Sequence, residues 1–133
     1  MTIDRAHVQR WLDRYVAAWF SYDAAEIGDL FSADAEYRYH PYDKDPVKGR
    51  AAIVADWLHP AGSADNRDKP GTVDAIYAPY AVEAVRAVIV GRTDYRESPG
   101  GPIVRAYENA WLLEFDADGR CSSFTGYYMQ QKT

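Results

Sequence analysis

The sequence predicts an α+β fold, helices first and an antiparallel meander after them, on three observations. Near the start, Val8, Trp11, Leu12, Tyr15, Val16 and Trp19 recur at helical spacing. At Ala35-Glu36-Tyr37-Arg38-Tyr39 the period changes to alternation, as in a short strand. From residue 72 onward, long alternating runs are separated by Ser98-Pro99-Gly100-Gly101-Pro102 and Asp116-Ala117-Asp118-Gly119, both hairpin turns by composition. Helices segregated from a continuous meander define the α+β class.

Element by element, Asp4 is a reasonable N-cap for a first helix over residues 5–21. Asp23 caps a second helix with Ala24, Ile27, Leu30 and Phe31 on one face, ending near Ser32. The strand over 35–39 stops at His40-Pro41, because proline cannot continue a ladder. A polar loop is expected from Tyr42 to Lys48, then a third helix from Ala51 to Leu58 with Ile53, Val54 and Trp57 near one face. Residues 59–71 hold two Pro and two Gly and little to bury, which predicts an exposed loop. Strands follow at about 72–82, 85–97, 103–115 and 120–130. A curved sheet of this length cannot bury its inner face alone. The helices must cover it, and a cavity between the layers is the natural site.

Length and composition bound the rest. A chain of 133 residues with no linker suits one domain, 1–133. The 20 Asp and Glu exceed the 15 Lys and Arg, for a net charge of −5. Phosphate backbones reward clustered positive charge, so nucleic acid is not an expected partner. No stretch reaches the roughly 18 apolar residues of a membrane span. The segment from Met1 to Trp11 has charges and no apolar block, so no signal peptide is expected. Cys121 is the only cysteine, which rules out an internal disulfide. Together these lead us to expect a cytoplasmic protein. The 11 Tyr and 4 Trp against 4 Phe suit a cavity that is both apolar and hydrogen-bonding, and equally a Tyr-rich sheet surface.

The chain resembles the nuclear transport factor 2-like superfamily. Arg14-Tyr15-Val16-Ala17-Ala18, Asp23 through Ile27, Leu30-Phe31, Asp34-Ala35, Gly49 and Ala52-Ile53 look like its first half. Ala106-Tyr107-Glu108-Asn109-Ala110-Trp111 through Phe115 and Gly119 look like its last hairpin. The resemblance implies a cystatin-like cone, three N-terminal helices on a strongly curved, mostly antiparallel sheet, and frequent pairing into homodimers. The superfamily holds steroid isomerases, epoxide hydrolases, polyketide cyclases resembling SnoaL, and binding modules, so fold alone does not choose a chemistry. Against ketosteroid isomerases, Tyr15 matches the helix-one tyrosine. His40 before Pro41 matches the base if one residue is inserted, and Tyr39 matches without the insertion. Asn109 stands where those enzymes carry a protonated aspartate. Against limonene-type epoxide hydrolases, Arg92-Thr93-Asp94 matches an Arg-x-Asp pair and Tyr37 a water-positioning tyrosine. Tyr39 replaces their asparagine, and Gly126 their last-strand aspartate.

His40 and Tyr15 are the catalytic candidates. An imidazole titrates near 6.5 in water, about neutral, and can pass protons. A phenol can donate to a ligand carbonyl or a developing oxyanion. His40 is expected at the cavity entrance with its imidazole in reach of a ligand. The alternative is a loop histidine at a strand end. Trp19, Tyr37, Tyr39, Trp57, Asp94, Tyr107, Asn109, Trp111, Phe124 and Tyr128 are the candidate cavity walls. Arg92 and Asp94 share a strand face with Arg86 and Arg96, which favours a solvated face, with Thr93 and Tyr95 inward. No cofactor and no metal site is expected: no His, Cys and carboxylate cluster has ligand spacing.

The expected function is binding of a mainly apolar small molecule with polar groups, or cofactor-independent lyase or isomerase chemistry on it. The alternative is a non-catalytic dimerisation module whose pocket is vestigial and filled by Trp11, Trp19, Trp57 and Trp111. A homodimer is expected because Val88, Val90, Ala110 and Leu112 alternate with the inward residues.

Overall fold

The computed structural model describes residues 2–132. Helix α1 spans Arg5–Ser21, and its first turn is closed by Asp4, whose carboxylate accepts from the His7 N–H. Its buried stripe is Val8, Trp11, Leu12, Tyr15 and Ala18. It ends at Tyr22, whose φ of 51° is left-handed and whose N–H donates to the Ala18 carbonyl. A non-glycine residue there is uncommon, and it turns the phenol ring of Tyr22 toward the loop after α3.

Helix α2 spans only Ala24–Asp29, and strand β1 begins at once, over Phe31–Arg38. The sequence pattern carried the helix to Ser32. Phe31 instead pairs in parallel with Cys121 of strand β6 (Cys121–Gln130), and both are fully buried. Sheet pairing thus overrides the local helical period. A bulge between Phe31 and Glu36 absorbs the register change. The loop expected over 42–48 contains a two-residue strand, β2 (Val47–Lys48), paired antiparallel with Tyr37 and Glu36. Helix α3 spans Arg50–Leu58. Residues 59–71 follow as an exposed segment with two short 3-10 turns, Pro60–Gly62 and Ala64–Asn66.

Strands β3 (Val73–Glu83), β4 (Arg86–Arg96), β5 (Ile103–Phe115) and β6 complete the sheet, in the order β2-β1-β6-β5-β4-β3. All neighbours are antiparallel except β1 and β6. The fold is therefore α+β, three helices on a curved, mostly antiparallel six-stranded sheet. Ladder irregularities at Pro79/Ala81, Tyr95/Arg96 and Glu114/Phe115 help bend the long strands around the helices.

Two glycines permit that curvature. A Cβ on Gly91 would lie 2.0 Å from the ring of Tyr77, so its absence lets Tyr77 lie across β4. A Cβ on Gly126 would meet the Tyr39 carbonyl at 2.8 Å, so its absence lets the end of β1 close on β6. The core below the sheet is aromatic. Trp11 packs edge-on against Phe31 and Phe115, and its indole N–H donates to the Leu30 carbonyl at 2.9 Å. Among the described residues, no helix is long and apolar enough to cross a membrane.

Candidate functional site

Between the helices and the concave face of the sheet lies a cavity of about 430 Å³. Its floor is set by strand alternation. On β5, Tyr107, Asn109 and Trp111 share the inner face; on β4 Thr93 and Tyr95, and on β6 Phe124, Gly126 and Tyr128, do the same. Helix α1 adds Tyr15 and Trp19 one turn apart. The deep wall is a stack of rings. Phe124 lies parallel to Tyr37 at 4.2 Å and to Tyr15 at 5.8 Å, and Trp111 packs on Tyr77 at 4.2 Å.

Polar groups at the floor satisfy one another. The Tyr15 and Tyr37 hydroxyls are 2.7 Å apart. Burial holds both phenols well above their usual range, so both are neutral. The Tyr77 hydroxyl bonds that of Thr93, which also accepts from the Asn109 amide at 3.0 Å. Burial pushes Tyr77 up to about 12. Asn109 thus presents its amide to the cavity with one hydrogen engaged and the rest of the group open to a ligand.

The mouth is different. On α3, the Asp56 carboxylate accepts from the Tyr39 hydroxyl; burial, then that contact, raises the Tyr39 phenol. In the loop after α3, Asp68 Oδ2 accepts from the Trp19 indole at 2.8 Å, and the Asp68 N–H donates to the Tyr22 hydroxyl at 2.9 Å. Opposite them, the Arg105 guanidinium lies 4.5 Å over the ring of Tyr95. Two carboxylates, one cation and a ring of hydroxyls therefore edge a cavity whose interior is uncharged.

The candidate residues fall into two groups. Tyr15, Trp19, Tyr37, Tyr39, Trp57, Tyr107, Asn109, Trp111, Phe124 and Tyr128 all line the one cavity. Tyr37 and Tyr39 have the same parity on β1 and its extension, so both face it. Asp94 and His40 do not line it. Asp94 stands on the outer face, where its Oδ1 accepts from Arg92 Nε at 2.7 Å. Between them Thr93 turns inward and is 3% exposed. The bulge that would bring Asp94 inward falls one residue later, between Tyr95 and Arg96. His40 stands behind the rim. The chain leaves β1 after Arg38, and the turn that follows presses the imidazole onto Tyr128, with Nε2 2.6 Å from the hydroxyl. Tyr128, rather than His40, meets the cavity.

Sequence reasoning missed Asp56, Asp68, Tyr22, Asn66 and Arg105 at the mouth. Asp56 follows Ile53 by three on α3 and so flanks the core stripe, where a charged residue reads as a solvated edge. Asp68 and Asn66 lie in a segment with the composition of an exposed loop. The signal available was the density of Asp, Asn and Arg in 65–68, which exceeds what two tight turns require.

Residues 12–124 match the SnoaL-like domain family, and the chain belongs to that family. No curated protein matches the sequence. Among solved structures, it is similar to an NTF-2 like protein of unknown function from Burkholderia xenovorans LB400. The TM-score is 0.68 at 17% identity, over 96% of this chain and 87% of that one. It is also similar to a protein of unknown function with a cystatin-like fold from Methylobium petroleophilum PM1. There the TM-score is 0.64 at 17% identity, over 100% of this chain and 82% of that one. At such identity these likenesses establish the nuclear transport factor 2-like, cystatin-like fold alone.

Proposed function

We propose that this protein binds a mainly apolar, planar small molecule with one or two polar groups in the cone cavity, as a binding protein or a cofactor-independent lyase or isomerase-type enzyme. One observation carries the reading. Trp19, Trp57 and Trp111 form walls, and Trp11 lies in the core, yet about 430 Å³ stays open between them. A vestigial pocket would be filled by those indoles. Aromatic faces around a few placed polar groups are the usual make-up of a small-molecule site. Neither enzyme pattern that the sequence resembles is complete. Asp94 and Arg92 face away from the cavity, and Asn109 is spent partly on Thr93. The chemistry is therefore read from this chain's own groups.

Calorimetric titration with 2-naphthol and with naphthalene tests the reading. Both should bind saturably. Asn109→Leu should weaken 2-naphthol about fivefold, the value of one neutral hydrogen bond near 1 kcal/mol, and leave naphthalene unchanged. Absence of saturable binding of either compound would overturn it in favour of a non-catalytic dimerisation module.

We also propose a homodimer through the convex face of the sheet. Register places Ala78, Val90, Ala110 and Tyr127 side by side across four strands. Leu112 is 45% and Val90 38% exposed on that face. Ion pairs Arg86–Glu114 and Arg92–Asp94 border the row. An apolar centre with a charged rim suits a self-complementary contact. Sedimentation should give twice the 15.0 kDa chain mass, and Leu112→Lys should return the single chain. A wild-type monomer at micromolar concentration rejects this.

A further inference from the structure

We propose that Tyr128 is the proton-transfer group of the cavity and that His40 and Asp43 form a relay behind it. The inference rests on the cavity being a ligand site, as proposed above.

The relay is built by one tight turn. The Asp43 N–H donates to the His40 carbonyl at 3.1 Å, and the His40 N–H donates to Asp43 Oδ2 at 3.1 Å. Those two bonds fix the carboxylate relative to the imidazole, and Oδ1 comes within 3.2 Å of Nδ1. A carboxylate only accepts, so Nδ1 carries the hydrogen that points at Asp43. In the neutral ring, Nε2 then holds a lone pair. That lone pair faces the Tyr128 hydroxyl at 2.6 Å. The Tyr42 ring stacks on the imidazole at 4.9 Å and 17°, fixing its plane. The order is carboxylate, imidazole, hydroxyl, the logic by which a histidine oriented from one side accepts a proton on the other.

Tyr128 is the member that meets the cavity. It is 52% exposed, lines the mouth, and its ring packs edge-on against Tyr107 at 5.8 Å. The groups facing it are His40, Tyr42, Asp43 and Tyr107. Burial, then Tyr42, Tyr107 and Asp43, raises its phenol. The resting hydroxyl therefore keeps its proton until the imidazole takes it. In the forward step a ligand O–H or C–H bond breaks and its proton goes to the Tyr128 oxygen. The Tyr128 hydroxyl proton passes to Nε2, and the imidazolium rests against Asp43. The reverse step returns the proton to the ligand at the same or another atom. When the proton returns to another atom the ligand's π bond shifts with it, and no electrons leave. His40 and Asp43 are positioning residues, because they act through Tyr128.

A phenol served by a base attacks electrophiles faster than a free one, so phenylmethanesulfonyl fluoride can read the relay without the natural ligand. The Tyr128 oxygen bonds to sulfur, fluoride leaves, and the proton goes to His40. Mass spectrometry should place the label on Tyr128. Its rate should exceed that of the exposed Tyr80 by roughly a hundredfold, the scale of general-base assistance. His40→Gln should bring the rate to the Tyr80 level with the circular dichroism spectrum unchanged. Asp43→Asn should slow labelling and alter its pH profile. Should His40→Gln fail to fold, Tyr128→Phe serves instead and should remove the fast site. Labelling of Tyr128 no faster than Tyr80, or a His40→Gln protein labelled as fast as wild type, would overturn the relay. With 2-naphthol titrated on the same samples, binding without selective labelling retires the relay alone. Selective labelling without binding retires the cavity reading and with it the role of Tyr128 in the cavity, leaving only a base-assisted surface phenol.

Discussion

At the cavity floor, Tyr15 and Tyr37 hydrogen-bond each other and are 6% and 5% exposed; at the mouth, Tyr39 and Tyr128 are 42% and 52% exposed and hold their hydroxyls against Asp56 and His40. The side chain is the same and the surroundings are opposite. A floor phenol has only another phenol to exchange with, in a setting that disfavours charge. A mouth phenol touches a group that can take or lend a proton. The floor is thus suited to holding an apolar body and the mouth to chemistry on it. The contrast can be broken by substitutions that should cost stability at one end and leave it intact at the other.

The largest effect is expected at the floor. Trp111 is 7% exposed and packs on Tyr15, Tyr77 and Phe124. Trp111→Ala leaves a void between α1 and the sheet and should lower stability by about 3–5 kcal/mol. Tyr128→Phe at the mouth should stay within about 0.5 kcal/mol. Urea denaturation of both variants measures the difference. Equal losses would mean that the rim is part of the core.

The next effect is read in alkali. Tyr15, Tyr37 and Tyr77 have phenols raised by burial, Tyr77 to about 12. In the unfolded chain they ionise near their ordinary value, about 10. Between those values the unfolded state has lost protons that the folded state keeps, so stability falls as pH rises. The stability is fully present below about pH 10 and, for Tyr77, lost by about 12. Each such group adds a slope of roughly 1.4 kcal/mol per pH unit. Denaturation at a series of pH values should show a steep alkaline limb, and Tyr15→Phe should flatten it. Tyr128→Phe should flatten it less, because that phenol is half exposed.

The floor was legible in the sequence, as were the mouth phenols Tyr39 and Tyr128, but the charged groups that edge the mouth were not, for a physical reason. Floor residues repeat with the period of the element that carries them. Tyr107, Asn109 and Trp111 announce one face of a strand, and Trp11, Tyr15 and Trp19 one stripe of a helix. Period fixes which way a side chain points relative to its neighbours. Asp68, Asn66 and Tyr22 instead come from a loop and a helix cap, where direction depends on individual torsions. Asp68 reaches the cavity because Tyr22 takes a left-handed cap and draws in the loop by its backbone. Nothing local in Tyr22-Asp23 marks that. The same holds for His40. Pro41 does mark the strand end, but the turn held by Asp43 decides that the imidazole meets Tyr128 first. The convex face, again periodic, was readable from Val88 and Val90 onward.

The smallest expected effect concerns the outer face and is informative because it is small. Arg92 and Asp94 resemble a catalytic pair in sequence, and they bond each other at 2.7 Å. A strand turns successive side chains to opposite faces, so Thr93, bonded to Tyr77 and Asn109 at the floor, commits its neighbours to the outside. With β4 continuous from Ala87 through Tyr95 in its pairing to β5, no local slip can exchange the two faces. Arg92→Gln and Asp94→Asn should therefore leave 2-naphthol affinity and Tyr128 labelling unchanged. Thr93→Val, at the position between them, should weaken 2-naphthol binding by releasing Asn109. Because Arg92 also borders the apolar row of the convex face, its substitution is expected to register, if anywhere, in the dimer's dissociation under sedimentation. Loss of naphthol binding in Arg92→Gln with the dimer intact would place that side chain in the cavity and reverse the assignment of faces.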